Sequence, residues 1–339
     1  MNSGINIVRA ITGLSALSLS LAGLEASPAV DQELAQQILD TMLQVHGVQP
    51  GFRPVHAKGV VCEGTFTASK EAAALSRAAH FQGDTVPVTV RFSDGAPDPH
   101  VPDFSPEAGP RGLAIRFLLP GGEKTDIVAM SHNGFVVATP AEFLALQKAV
   151  VATDPSKPHP WPVEDFLGSH PLALKFVQEI GARPASFGTA AFFSNDSFVF
   201  VNKEGKKQVG RYKFLPVAGA QDLTEAEAKG KTPDYLTDEL KERLAKGPVQ
   251  FRLVIQIPNP GDVTNDPSIV WPDDRKTIEV GTTSVNSMVA ESDAASQKLA
   301  FAPTPLPDGI ELSDDPFPAL RSAVYTLSVK HRQAAEGKK

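Results

Sequence analysis

The residues best suited to chemistry stand near the end of the chain, in Arg321-Ser-Ala-Val-Tyr325-Thr-Leu-Ser-Val-Lys-His-Arg332. On a helix, Arg321 falls one turn before Tyr325 and Arg332 about two turns after it, so the three share a stripe. A free phenol ionises near pH ~10, and a permanently charged guanidinium one turn away stabilises the phenolate. A phenolate is a hard anionic donor suited to ferric iron. Arg and Tyr at this spacing occur on many helices, so the pattern gains weight only from what accompanies it upstream.

Three upstream segments carry polar groups of the right kind. Phe52-Arg53-Pro-Val-His56-Ala-Lys-Gly59 sets a histidine just before a glycine that opens a strand. In Val86-Pro-Val-Thr-Val-Arg-Phe-Ser93 the apolar residues alternate strictly, which places Thr89, Arg91 and Ser93 together on the opposite face. Ser93 can hydrogen-bond one histidine ring nitrogen, fixing the tautomer and leaving the other nitrogen for proton transfer. Pro110-Arg111-Gly-Leu-Ala-Ile-Arg-Phe117 and Thr125-Asp126-Ile-Val-Ala-Met130 follow in order.

In this order the segments resemble the haem catalase family, over nearly the whole chain from about Val48 to Arg332. His56-Ala-Lys-Gly59 resembles the distal-histidine motif, with Arg53 before it. Arg91-Phe-Ser93 resembles the strand that gives a propionate-binding arginine and the serine partner of that histidine, and Arg111-Gly-Leu-Ala resembles the family's Arg-Gly-Phe-Ala. Arg321 to Arg332 is similar to the proximal helix, which implies Tyr325 as iron ligand, Arg321 beside it and Arg332 as a further propionate partner. Tyrosine ligation of iron in catalases is established knowledge. Phe135 fits the position of a haem-packing phenylalanine.

Two departures qualify the resemblance. A gap-free register anchored by Asp126 and Phe135 puts Met130 where the family carries a distal asparagine; Asn133 substitutes only if the backbone slips by three residues. The chain also stops soon after the proximal helix, where larger catalases continue. Together with the N-terminus, this is similar to compact, exported catalase-related peroxidases. The resemblance therefore implies haem b, hydrogen peroxide or organic peroxides as substrate, and an external electron donor. A true catalase that disproportionates hydrogen peroxide, and a non-catalytic periplasmic haem-binding protein, stay open as alternatives.

The elements that must position these groups read as an α+β fold, an antiparallel β-barrel core with surrounding helices. Helical spacing predicts a helix over residues 31–47 and a last one from about Pro316 to Ala335, packing through Leu320, Ala323, Val324 and Leu327. Strands are expected at Gly59–Ser69, Val86–Ser93, Leu113–Leu119, Asp126–Ser131, Gly134–Ala138, Phe192–Val201, Gln208–Phe214 and Gln250–Ile257. Asn202-Lys-Glu-Gly205 forms a hairpin turn between two of these strands. Residues 140–183 and 224–245 read as helical, and 258–313 as loop-rich.

Composition sets the remaining bounds. The chain has 339 residues, 42% of them hydrophobic, enough to bury a large core. A net charge of −7 without a basic block argues against nucleic acid as partner. Arg9 followed by the apolar run to Leu24 and small residues through Ala26 and Ala29 reads as a secretory signal over 1–29, too short and serine-rich to anchor in a membrane. The remainder, 30–339, shows no repeat or composition shift and reads as one periplasmic or secreted domain. Nothing in the sequence sets an oligomeric state. The lone Cys62 excludes an intramolecular disulfide and cysteine-ligated clusters within one chain.

Overall fold

The computed structural model describes residues 31–336 apart from Val48, so the secretory signal expected over 1–29 lies outside the described residues. The strands are β1 (Gly59–Ala68), β2 (Thr85–Ser93), β3 (Gly112–Leu118), β4 (Lys124–Met130), β5 (Phe192–Phe193), β6 (Phe198–Val201), β7 (Lys207–Pro216), β8 (Val249–Gln256), β9 (Thr277–Met288) and β10 (Ile310–Leu312). The helices are α1 (Gln32–His46), α2 (Ala72–Leu75), α3 (Pro140–Ala152), α4 (Pro162–Ser169), α5 (Pro171–Glu179), α6 (Glu225–Lys229), α7 (Tyr235–Leu244), α8 (Ser292–Lys298) and α9 (Phe317–Glu336).

Among the described residues, eight strands close on themselves in the order β7-β5-β4-β3-β2-β1-β9-β8, with β8 pairing back to β7. Every pair is antiparallel. Closure removes the exposed sheet edges on which other chains could pair. β6 and β10 extend β7 outside the ring. The alternation seen in the sequence decides what fills the barrel. Val86, Val88, Val90 and Phe92 of β2, Leu113, Ile115 and Phe117 of β3, and Phe251, Leu253 and Ile255 of β8 all point inward into one core. Each such side chain removed from water contributes roughly 1.5–3 kcal/mol before conformational entropy is set against it. Cys62 is fully buried in the same interior.

The same alternation turns the other residues outward. On β2 these are Arg91 and Ser93, on β3 Gly112 and Ala114, and on β4 Val128 and Met130. A second apolar cluster covers that outer surface, built from α1, α3 and α9 with Phe135, Val136 and Val137. α1 starts where Asp31 accepts a hydrogen bond from Leu34 N at 3.0 Å. α9 buries Leu320 and Val324, the face read from the sequence. No helix of the described residues is long and apolar enough to cross a membrane.

Three expectations fail locally. Gly134–Ala138 is not a strand: Gly134 has φ +113 and both its backbone polar groups bond the Asn195 side chain, in place of a ladder. Phe192–Val201 is two strands, split by the buried polar run Ser194-Asn-Asp-Ser197. Residues 258–313, expected as loops, hold β9, α8 and β10. A bulge beside Leu253 shifts the register of β9, so its buried residues pass from Val280 to Thr283 and Val285 and the period-two pattern breaks.

Candidate active site

A cavity of about 930 Å³, part of it open to solvent, lies between the outer face of the barrel and α9. Of the residues singled out from the sequence, Arg53, His56, Arg91, Ser93, Arg321, Tyr325 and Arg332 all line it. Phe135 does not: its ring lies behind the wall, 4.6 Å under the Arg321 guanidinium and edge-on to Phe317.

The helix wall is built by α9. Arg321 Nη1 donates to Tyr325 Oη at 3.3 Å, the one-turn pairing read from the sequence. Behind it, Arg321 Nε meets Asp196 Oδ2 at 3.1 Å. Burial alone would lower the guanidinium's pKa, but the charges of Asp196 and Tyr325 hold it above its ordinary value. Asp315 stands in the same group, its carboxylate accepting from Ser197 N at 3.0 Å and Phe317 N at 2.9 Å. Burial, then the neighbouring Asp196, pushes the Asp315 carboxyl up to about 7.

The opposite wall is the barrel surface. His56 Nδ1 sits 3.1 Å from Ser93 Oγ, and which atom donates follows the ring tautomer. Burial, and then the charge of Arg91, pushes the imidazole down to about 3, so it is neutral near pH 7 and available as a base. His56 has φ +56, in the left-handed region that non-glycine residues rarely occupy. Its backbone N–H reaches Gly95 O at 3.3 Å, and the next residue's N–H reaches Ala96 O at 3.0 Å, which secure the turn. Gly112 is required beneath it, since a Cβ there would lie 2.5 Å from Ser93 Oγ and 2.9 Å from His56 Nδ1. With Ala114 beside it in β3, the floor stays flat enough for a planar group.

At one rim, three arginines converge on two acceptors. Arg53 and Arg332 both donate to Leu299 O, at 2.6 and 3.1 Å, and Arg53 and Arg91 both reach Ser296 Oγ, at 3.4 and 2.8 Å. Arg53 and Arg91 are lowered in pKa by burial first and then by neighbouring guanidinium charge. Cations crowded this way suit a ligand with more than one carboxylate, which arginine binds through paired hydrogen bonds. Among the described residues no cluster of His, Cys, Asp or Glu could hold a metal ion by itself. Flat floor, phenol and cationic rim together fit haem.

Met130 lines the cavity and Asn133 does not; β3 and β4 pair without a slip, Gly112 opposite Met130. Sequence reasoning missed Met42, Phe193, Asn195 and Asp196, which also line it. The signal for the last two was the polar run between Phe193 and Phe198.

Comparison with known proteins follows the same lines. A family model of catalases matches residues 36–339. The chain is 38% identical over 303 residues to a catalase-related peroxidase of Mycolicibacterium paratuberculosis, covering 88% of this chain and 95% of that protein. It is 32% identical over 327 residues to a catalase-related peroxidase of Synechococcus elongatus, covering 93% and 96%. A fungal catalase crystal structure superposes with a TM-score of 0.74 at 22% identity, over 97% of this chain and 66% of that one. A bacterial catalase gives 0.73 at 22% identity, over 96% and 67%. At that identity the likeness speaks for the fold alone, and the chain spans about two thirds of those catalases' length.

Proposed function

The chain belongs to the catalase family as an oxidoreductase acting on peroxide, and we propose that it is an exported haem b peroxidase that draws its electrons from an external donor. One observation carries this reading: Tyr325, backed by Arg321, faces the same cavity as the His56–Ser93 pair. Catalase-family proteins bind haem, and Arg53, Arg91 and Arg332 would hold its propionates while Tyr325 binds its iron. When bound, haem supplies the redox chemistry that opens the O–O bond. His56 takes the proton of the peroxide and returns it to the departing oxygen, and Ser93 holds the imidazole in the tautomer that leaves the other nitrogen free. Arg321 balances the phenolate charge and is itself held by Asp196.

Met130 favours an external donor over a second peroxide. An asparagine amide would hold peroxide beside the histidine, and a thioether is only a weak acceptor with no hydrogen to donate. Steady-state oxygen evolution as fast as peroxide loss, with no donor present, would establish a true catalase instead.

The ligand assignment is tested by absorption spectra of the protein and of Tyr325→Phe. A high-spin ferric band is expected in the parent, lost or strongly changed in the variant; identical spectra would overturn the assignment. His56→Ala should keep the band and lose the reaction with peroxide. Export rests on Arg9 and the apolar run that follows it. N-terminal sequencing of protein from the periplasm should begin just after Ala26 or Ala29, and a mature chain starting at Met1 would count against it.

A further inference from the structure

The three residues that shape the barrel wall at its proton-transfer end each stand beside a charge. Lys58 comes two residues after His56, Asp94 directly follows Ser93, and Arg111 directly precedes Gly112. None of these charged side chains lines the cavity. They meet instead in one buried cluster. Asp94 Oδ1 lies 3.3 Å from Arg111 Nη1, and its Oδ2 lies 3.5 Å from Lys58 Nζ. Asp103 closes the group. Its Oδ1 pairs with Lys58 Nζ, and its Oδ2 accepts from Leu236 N, in the first turn of α7, at 2.8 Å. Asp94, Asp103 and Arg111 are buried; Lys58 is partly exposed and also reaches the exposed Asp234 Oδ1 at 3.1 Å.

Taking ionised groups out of water offsets much of what their attraction gains, so such a cluster is a poor source of stability. What it does is constrain two segments. Backbone bonds already join them: His56 N donates to Gly95 O at 3.3 Å, Ala57 N to Ala96 O at 3.0 Å, and Asp94 N to Lys58 O at 3.1 Å. The Lys58–Asp94 pair adds a side-chain tie across the same junction. Arg111 adds a second, since it donates to Ala108 O, which also accepts from Gly95 N at 2.8 Å. His56 needs such ties. A non-glycine residue at φ +56 keeps that strained conformation only where its surroundings over-determine it. After burial and the Arg91 charge, the next influence on its ring is a hydrogen bond to the Asp94 backbone, which opposes both.

We propose that Asp94 is a positioning residue for His56: through Lys58 and Arg111 its buried charge locks the junction that keeps the His56–Ser93 hydrogen bond in place. This rests on the reading of His56 as the group that moves the proton of the peroxide. Asp94 itself touches neither cofactor nor substrate and acts through the two residues that do the work.

The test uses the haem-loaded protein with hydrogen peroxide at about pH 8, where Asp94 is ionised, burial having pushed its carboxyl up to about 7. Asp94→Asn keeps the side-chain shape and removes the charge. Its ferric haem spectrum should match the parent, while stopped-flow should show the peroxide reaction slowed roughly ten- to a hundredfold. A double-mutant cycle separates positioning from general damage: if Asp94 acts through the His56–Ser93 bond, adding Ser93→Ala to Asp94→Asn should slow the reaction by no more than about twofold further. A crystal structure of the variant gives a readout apart from turnover, with His56 Nδ1 and Ser93 Oγ expected beyond ~3.5 Å. Should Asp94→Asn fail to fold, Lys58→Gln cuts the tie at its partly exposed end and carries the same three expectations. A rate within about twofold of the parent, losses that multiply in the cycle, or an unchanged His56–Ser93 distance overturns the proposal. A parent that does not react with peroxide would overturn the peroxidase reading instead, and the crystallographic distance would still decide the role of Asp94.

Discussion

On the helix wall of the cavity, buried charge is met by charge. Asp196 holds Arg321, Arg321 holds Tyr325, and Asp315 rests on two backbone N–H groups behind them. On the barrel wall, polar groups are few and neutral. His56 is uncharged and paired with one hydroxyl, and its neighbours along the sheet are Gly112, Met130 and Phe193. The difference follows from what each wall must do. On the proposed reading, a phenolate that binds iron takes fixed countercharge, whereas a base that moves a proton must itself be uncharged. Arg91 is the exception on the barrel side, and it is turned to the rim, donating to Ser296 Oγ and to His56 O.

If charge holds the helix wall, removing one partner there should cost most. Arg321→Leu leaves Asp196, whose side chain is 2% exposed, buried without its cation. Urea unfolding of the cofactor-free protein should show a loss of about 3–5 kcal/mol. A loss below about 1 kcal/mol would mean that this wall does not depend on its ion pair. On the barrel wall the expected damage is steric and smaller in stability. Gly112→Ala forces Ser93 and His56 aside, costing about 1–3 kcal/mol as overpacking does. Stopped-flow should show the peroxide reaction slowed at least tenfold while the haem spectrum persists; an unchanged rate would show that His56 tolerates displacement.

The smallest effects should be opposite pH dependences. Asp315 keeps its proton to about pH 7 when folded, against 3.8 as a free side chain. Its contribution to stability is thus complete below about 3.8 and is lost as pH rises through about 7. His56 resists a proton until about pH 3, against an ordinary 6.5. Its contribution is complete above about 6.5 and is lost as pH falls from there toward 3. His80 adds the same acid-side sign from inside the barrel, where burial pushes it down to about 3 and neither ring nitrogen has a partner. Denaturant midpoints across pH should show Asp315→Asn flattening the neutral-side loss and His56→Gln the acid-side loss. Equal slopes in both variants would erase the contrast between the walls.

Much of this was legible because both alternation and helical spacing are local. Val86 to Phe92 fixed which face of β2 carried Arg91 and Ser93, and the spacing of Arg321 and Tyr325 required only that the helix form. The gap-free register anchored by Asp126 and Phe135 put Met130 in place of the family's distal asparagine, and the structure sets it in the cavity wall opposite Gly112. What escaped depended on contacts distant in sequence. Gly134–Ala138 looks like a strand until Asn195 takes up the polar groups of Gly134. Phe135 looks like a ligand contact until Arg321 is found to occupy its face. Asp196 needed α9 folded against it before it could be read as the partner of Arg321. β9 was hidden by a bulge that shifts its period midway.

The single cysteine sits at the centre of the barrel, fully buried, and burial pushes its thiol up to about 12. In an enzyme that handles peroxide, this keeps the one oxidisable thiol in its unreactive, protonated form. It also makes the chain a clock for its own opening. Cys62 is fully buried, so a thiol reagent can reach it only when the barrel opens, and labelling under native conditions reads the frequency of such openings.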